Sequence, residues 1–464
     1  MCYNFKADMR ILFVVDYIGD DHLGIMGVSS ILKQKGYCVE TINASPGKII
    51  EKLKDEVPTI LAYSVLTPLS KQYLHINRVV KKQVKAFFVF GGPHPSAVPE
   101  IVEEDGLDAV CIGEGDYAML ELVDNLSAGR SVANIKNWWV KENGVVTKNS
   151  LRPLISDLDR LPFPDRSLFE KKVFFNREKI HIITSRGCPY ACNYCFNSHY
   201  DRIYAGKWKN VRRRSVENVI KETLQLKKRF PLKFIVFDDS IFGLSREWLK
   251  RFSREYKKYV NIPFSCNIRA EHVTDEAVVY LKEAGCHVVS IGIETADEYI
   301  RTNILGKNVT RKQILKAAGL IKRHNIQLRT SNIINIPYST IENDMETLKL
   351  NIECNSDYAI AFFLETFPGT KIKKMINVDK GRCLPQLNSS QKTIMENLRS
   401  LFTLVAAFPF LFLFVRILIR LPLNRVYRLL YSLREVYCTY FYLYPAGIRV
   451  FFRWVKRRAR ARTL

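Results

Sequence analysis

The stretch that most constrains this chain is Ser185-Arg186-Gly187-Cys188-Pro189-Tyr190-Ala191-Cys192-Asn193-Tyr194-Cys195-Phe196, with three cysteines at C-x3-C-x2-C. It follows the β-branched, apolar run Ile182-Ile183-Thr184. A strand that stops near a glycine and opens into a cysteine-rich loop holds several thiolates on one side of a small volume. Three thiolates ligate three irons of a [4Fe–4S] cube, whereas most electron-transfer clusters of that type use four. The iron without a protein ligand is then free to bind something else. Apart from these three, no cysteine lies between Cys111 and Cys266. Zinc is the competing reading; it wants a fourth ligand, and His199 stands four residues past Cys195.

At 464 residues the chain predicts two or three domains. Eleven cysteines raise the question of a secreted disulfide scaffold. Met1 to Arg10 is polar and Ile11–Val15 is too short for the apolar core of a signal peptide. The odd, scattered cysteines therefore read as reduced thiols in a cytoplasmic protein. A formal charge of +25 asks for a polyanionic partner, either nucleic acid or anionic lipid.

Residues 10–15 read as a buried strand, followed by the helical pattern Leu23 to Leu32. Short apolar strands at 37–42, 59–65, 86–90 and 109–112 alternate with helical segments at 68–82 and 116–127. This predicts an α/β fold with a doubly wound parallel sheet, a Rossmann-like domain over residues 1–130. Ligands of such sheets bind beyond the carboxyl ends of the strands. The loops there are Thr67-Pro68, Gly91-Gly92-Pro93-His94-Pro95 and Gly113-Glu114-Gly115. Residues 131–175 read as a linker containing a hairpin with Asn143-Gly144 at its turn. From 176 to 375 the alternation resumes, with strands near 179–185, 233–237, 263–267, 287–293, 326–334 and 356–364. Six such strands fit a partial (β/α)6 barrel with its chemistry at the carboxyl ends. Asp238, Asp239, Arg269, Glu294 and Asn332 collect at that mouth, beside the cysteine loop. Arg212-Arg213-Arg214 reads as a solvated entry to a helix capped by Ser215.

C-x3-C-x2-C with an aromatic before its last cysteine, here Tyr194, resembles the signature of the radical S-adenosylmethionine (SAM) enzymes. The resemblance implies a [4Fe–4S] cluster on Cys188, Cys192 and Cys195. Its open iron chelates SAM, which is split reductively to a 5′-deoxyadenosyl radical with electrons from an external donor of the flavodoxin or ferredoxin type. It further implies that Tyr194, Asp238, Asp239, Arg269, Glu294 and Asn332 edge the SAM or substrate site. A guanidinium such as Arg269 suits the SAM carboxylate as a bidentate donor. The N-terminal layout resembles the cobalamin-binding domain of one large subgroup, in which G-G-x-H-P and G-E-G loops edge the corrinoid. Cobalamin is then expected near Thr67, Gly91, Gly92, His94, Gly113, Glu114 and Gly115. Other cobalamin domains carry D-x-H-x-x-G, whose histidine ligates cobalt. Here Asp20-Asp21-His22-Leu23-Gly24-Ile25 lacks the glycine, and His22 reads as a solvated loop residue. The subgroup's G-L-P-G-E-T is replaced by Asn335-Ile336-Pro337-Tyr338-Ser339-Thr340, which predicts a less permissive loop. Phe367-Pro368-Gly369-Thr370 matches its closing turn, so the resemblance spans roughly residues 10–370.

Residues 376–464 read as a helical, basic and apolar region outside the resemblance. Leu401 to Val415 is nearly all apolar, and twelve basic residues from Arg416 to Arg462 face one acid, Glu435, with aromatics interleaved. The run is too short to span a bilayer. Arg-rich helices with aromatic faces suit an anionic membrane surface; a helical cap on the barrel and RNA binding are the competing readings. The expected activity is cobalamin-dependent methylation of an unactivated carbon in an apolar, lipid-like substrate, in an enzyme peripheral on the inner face of a membrane. Radical cyclisation or oxidation, as in the anaerobic magnesium-protoporphyrin IX monomethyl ester cyclases, is the alternative. RNA modification of the methylthiotransferase kind comes third, since no terminal RNA-binding β-barrel pattern is present. A non-enzymatic corrinoid or iron–sulfur carrier would have no use for an open iron.

Overall fold

A computed structural model describes residues 9–16, 22–169, 178–378 and 387–438 of the chain. It divides into two compact units. The first comprises Met1–Asn176, Cys195–Arg212 and Phe367–Thr370; the second comprises Arg177–Tyr194, Arg213–Thr366 and Lys371–Leu464.

The first unit is built on a seven-stranded sheet. Its strands are β1 (Arg10–Val15), β2 (Cys38–Asn43), β3 (Thr59–Ser64), β4 (Phe87–Gly91), β5 (Ala109–Cys111), β6 (Trp138–Glu142) and β7 (Val145–Lys148), in the order β2-β1-β3-β4-β5-β6-β7. The first five are mutually parallel. Helices α1 (Leu23–Gln34), α2 (Pro46–Leu53), α3 (Ser70–Lys81), α4 (Pro93–Ala97) and α5 (Asp116–Ser127) connect them. β1 is buried along its whole length, as an apolar strand covered on both faces must be. Ile11 and Phe13 enter one core with α1 and α5, while Leu12 and Val14 enter another with α2 and α3. The strand order reverses between β1 and β3, and doubly wound sheets bind ligands at that switch point.

The hairpin expected in a linker instead completes this sheet. β6 runs antiparallel to β5, and Trp138 is buried with its indole N–H donating to Ala118 O at 2.9 Å. A large aromatic with a satisfied polar edge anchors the hairpin more firmly than a linker would be held. The expected domain boundaries also miss an interleaving. Helix α6 (Asn197–Ile203), directly after the last cysteine, belongs to the first unit, because His199 Nε2 donates to Ser96 O at 2.7 Å.

The second unit holds six parallel strands in consecutive order, β8 (Lys179–Ile182), β9 (Phe234–Phe237), β10 (Phe264–Asn267), β11 (Cys286–Glu294), β12 (Gln327–Ile334) and β13 (Tyr358–Phe363). Helices α7 (Val216–Arg229), α8 (Arg246–Tyr259), α9 (Asp275–Ala284), α10 (Arg311–Arg323) and α11 (Ile341–Glu353) link or follow them. Each of the five begins at a Ser or Thr whose hydroxyl accepts the N–H three residues on, a cap of about 1 kcal/mol apiece. This is the consecutive, parallel wall of a partial β/α barrel.

After α12 (Lys371–Val378), helix α13 (Ser389–Ala407) packs Met395, Leu398, Leu401, Phe402 and Val405 against Ile334, Leu348 and Ala359. Thr403 Oγ1 donates to Ala359 O at 2.6 Å. The front of the apolar run 401–415 is thus a cap on the sheet, not a membrane face. A 3-10 turn (Pro409–Phe414), α14 (Val415–Leu418) and α15 (Asn424–Tyr437) follow. Among the described residues no helix is long and apolar enough to cross a membrane. Arg449 and the basic residues after it lie outside the described residues.

Candidate active site

In the second unit the site gathers around the loop after β8. Gly187, with φ +107°, turns the chain into the cysteine segment, a backbone that side-chain-bearing residues rarely adopt. Cys188 and Cys192 are buried. Arg269, one turn of chain after β10, stacks its guanidinium 3.6 Å over the Tyr190 ring and points Nη1 at Cys192 Sγ at 3.3 Å. Its Nε donates to Glu271 Oε1 at 2.6 Å, while Nη2 is buried without a protein partner. Tyr190 Oη and His272 Nε2 lie 2.5 Å apart, and burial holds the His272 imidazole below its usual pKa.

Among the described residues no three His, Cys, Asp or Glu side chains converge as a metal-ion site. The fit of this loop to an iron–sulfur cluster rests on its donor set. Three thiols stand within eight residues of chain, and a buried guanidinium beside one sulfur offsets thiolate charge. The orphaned Arg269 Nη2 suits an incoming carboxylate, as SAM carries.

Glu294 closes β11 at φ +64° and is buried. Its Oε1 accepts from Lys307 Nζ at 2.7 Å and from Tyr194 Oη at 2.9 Å. Gly292 makes this possible, since a Cβ there would stand 2.6 Å from Lys307 Nζ. Other predicted residues are committed elsewhere. Asp239 is fully buried, and its carboxylate accepts from Thr184 N at 3.1 Å, Thr184 Oγ1 at 2.8 Å and the Ser185 hydroxyl. Burial raises its pKa, and those hydrogen bonds oppose the rise. Asp238 pairs with His181 Nδ1 at 2.6 Å. Asn332 is buried, with Nδ2 donating to Ile360 O and Oδ1 accepting from Asn351. Asp239 and Asn332 therefore shape the strand ends, whereas Arg269 and Glu294 keep polar atoms beside the cysteine loop.

In the first unit the predicted corrinoid loops are laced together. Gly92 has φ +93°, and a Cβ there would stand 2.9 Å from Val65 N. His94 Nδ1 and Thr67 Oγ1 lie 3.2 Å apart, and burial lowers the histidine pKa. Ser96 Oγ donates to Gly92 O at 2.8 Å and accepts from Gly113 N at 3.0 Å, tying the two glycine loops. The Tyr204 hydroxyl accepts from Glu114 N at 2.9 Å. Glu114 is spent on Arg212 Nη1 at 2.9 Å and Ile155 N at 3.0 Å. Gly115 is the residue on which α5 starts. These loops follow the carboxyl ends of β3, β4 and β5, the edge at which such sheets bind ligands, and that placement and the Thr67–His94 pair fit a corrinoid. His22 stacks on Phe169 with centroids 5.3 Å apart.

The arginine triplet is a correction. Arg212 is nearly buried against Glu114, and Arg214 is buried on Glu222 Oε2 at 2.5 Å and Ile183 O at 3.1 Å. Arg212 looks solvated because Glu114 is 98 residues away, whereas Arg214 folds back on Glu222, eight residues on and on the buried face of the helix it precedes. Asn335 and Tyr338, in place of two glycines, keep left-handed backbones at φ +58° and +66°. Both lie in the left-handed region that glycine adopts most readily. Tyr190 lies inside the cysteine motif and Arg212 inside the arginine triplet, but neither spacing shows what they touch, and no motif marks Lys307 or Tyr204.

A model of the radical SAM superfamily matches residues 182–350, and a model of the B12 binding domain matches residues 13–123. An uncharacterised methyltransferase of Pyrococcus horikoshii is 29% identical over 75% of this chain and 77% of its own length. The anaerobic magnesium-protoporphyrin IX monomethyl ester cyclase of Rubrivivax gelatinosus is 28% identical over 76% of this chain and 67% of its own. The fold is that of the radical SAM methyltransferase TsrM from Kitasatospora setae, solved with cobalamin and a [4Fe–4S] cluster, at a TM-score of 0.66, 17% identity and coverage of 83% and 77% of the two chains. This chain is therefore a radical SAM enzyme with a B12-binding domain ahead of its radical SAM domain, and its cofactors are a [4Fe–4S] cluster, SAM and cobalamin.

Proposed function

We propose that the enzyme methylates an unactivated carbon of an apolar, membrane-derived substrate. The observation that carries the reading is the three-thiol loop in a radical SAM domain that follows a B12-binding domain. When bound, cluster and SAM supply a carbon-centred radical and cobalamin supplies the methyl group. On this reading Cys188, Cys192 and Cys195 hold the cluster. Arg269 takes the SAM carboxylate on its unpartnered Nη2, and Glu294, held by Lys307 and Tyr194, takes its amino group. Thr67, His94 and the glycine loops edge the corrin. The substrate class is supported by the apolar, basic C-terminal region; that region also supports peripheral attachment to an anionic membrane.

Ring closure or oxidation is the second reading, supported by the similarity to the Rubrivivax cyclase across three quarters of the chain. Mass spectrometry of products from the reconstituted enzyme and a membrane lipid extract decides between them. A product heavier by one methylene supports methylation, and loss of hydrogens supports cyclisation. Cys188→Ala, Cys192→Ala and Cys195→Ala are each expected to lose bound iron and 5′-deoxyadenosine formation. Reductive SAM cleavage by the triple variant would overturn the assignment of the loop.

A further inference from the structure

Of nineteen large apolar side chains exposed among the described residues, ten lie within Phe408–Tyr437. The turn Pro409–Phe414 reads PFLFLF, and none of its residues is buried. Leu413 is 80% exposed, Phe410 63%, Ile417 61% and Phe414 53%. Helix α15 continues the surface, for Val426, Leu429 and Leu433 are exposed at helical spacing while Tyr427 and Val436 turn inward. Such a concentration of apolar surface is rare on a protein that meets only water. Four exposed arginines, Arg416, Arg420, Arg425 and Arg428, are set among these residues. The sequence from 439 to 464 adds seven basic residues and no acid. Apolar projections flanked by cations match the interface of an anionic bilayer, where side chains enter the acyl boundary and guanidinium groups meet phosphates. The amphipathic arrangement of α15, with Val426, Leu429 and Leu433 exposed and Tyr427 and Val436 turned inward, suits contact in the membrane plane.

We infer that the turn Pro409–Phe414, α14 and the outer face of α15 form a docking surface for anionic membrane. The inference rests on the proposed membrane-derived substrate for its purpose, but docking is read without turnover. Full-length protein is mixed with phosphatidylcholine vesicles, with or without phosphatidylglycerol, and floated on a density gradient in low and high salt. Phosphatidylglycerol vesicles should carry the protein, and high salt should weaken the attachment without eliminating it. Leu413→Ser/Phe414→Ser/Ile417→Ser removes three exposed apolar groups and should lower vesicle affinity about tenfold or more. Val426→Ser/Leu429→Ser/Leu433→Ser makes the same test if the first variant fails to fold. Failure of the parent to float, or equal flotation of a folded variant, overturns the surface. So does a variant that changes only the oligomeric state, which would assign the face to a second copy of the chain. SAM cleavage by the same samples reports on the radical chemistry separately.

Discussion

Lys307 Nζ stands 2.7 Å from Glu294 Oε1, with side chains 5% and 9% exposed. Two opposite charges so far from water depend on each other, because removing one leaves the other buried and uncompensated. Lys307→Ala is expected to destabilise the second unit by about 3–5 kcal/mol, read by denaturant unfolding. Glu294→Gln keeps an acceptor for Lys307 and should cost less stability. If Glu294 meets the SAM amino group, that variant lowers SAM affinity by about tenfold or more, the loss of one charge-assisted hydrogen bond. Unchanged SAM affinity by equilibrium dialysis would return Glu294 to a purely structural role.

The second prediction concerns Gly113, whose φ is +81° and whose Cβ, if present, would overlap the Tyr204 hydroxyl. Gly113→Ala combines left-handed strain with overpacking and should destabilise by about 2–4 kcal/mol. Gly113→Ala/Tyr204→Ala relieves the overlap but not the strain. Because Tyr204→Ala has its own cost, the cycle is the readout: Gly113→Ala should cost less in the Tyr204→Ala background than in the parent, and an equal cost in both would mean that backbone strain alone accounts for the loss.

The parallel strands were legible because their apolar runs are short, uniformly hydrophobic and separated by glycine and proline; β9 and β10 begin within one residue of expectation. The cysteine loop was legible because its chemistry is local in sequence. Tyr204 was not, since its partner Glu114 lies ninety residues away. The same distance hid the burial of Arg212, which looks like one solvated arginine of three until Glu114 and Ile155 arrive beside it. Hydrophobicity alone did not divide Leu401–Val415 either. Leu401, Phe402 and Val405 are core while Phe410 and Leu413 are surface, because Pro409 ends the straight helix and turns the following side chains off the sheet.

A third prediction concerns cobalt. His22 stacks on Phe169, and its segment lacks the glycine of the histidine-ligating pattern. Cobalamin should bind without it. His22→Ala is expected to leave the visible spectrum and the Co(II) paramagnetic resonance of the bound corrin unchanged. Nitrogen coupling that vanishes in the variant would make His22 the lower ligand.

The last prediction turns on Asp344, a buried carboxyl at the foot of the loop that carries Asn335 and Tyr338. Burial lifts its pKa to about 7, and the hydrogen bond from Asn335 N at 3.1 Å opposes that rise. Its Oδ1 has no partner. The folded pKa lies above the unfolded value of 3.8, so the folded state holds the proton more tightly. This group's contribution to stability is then full below the unfolded pKa and is lost as pH rises through the folded one. Across that window the loss amounts to up to about 4 kcal/mol. Asp344→Asn keeps an acceptor for Asn335 N but cannot ionise. The variant should match the parent under acid conditions, exceed it in stability above neutrality, and show a flatter stability profile between. Parallel profiles for parent and variant, measured by denaturant unfolding across that range, would show that Asp344 does not titrate there.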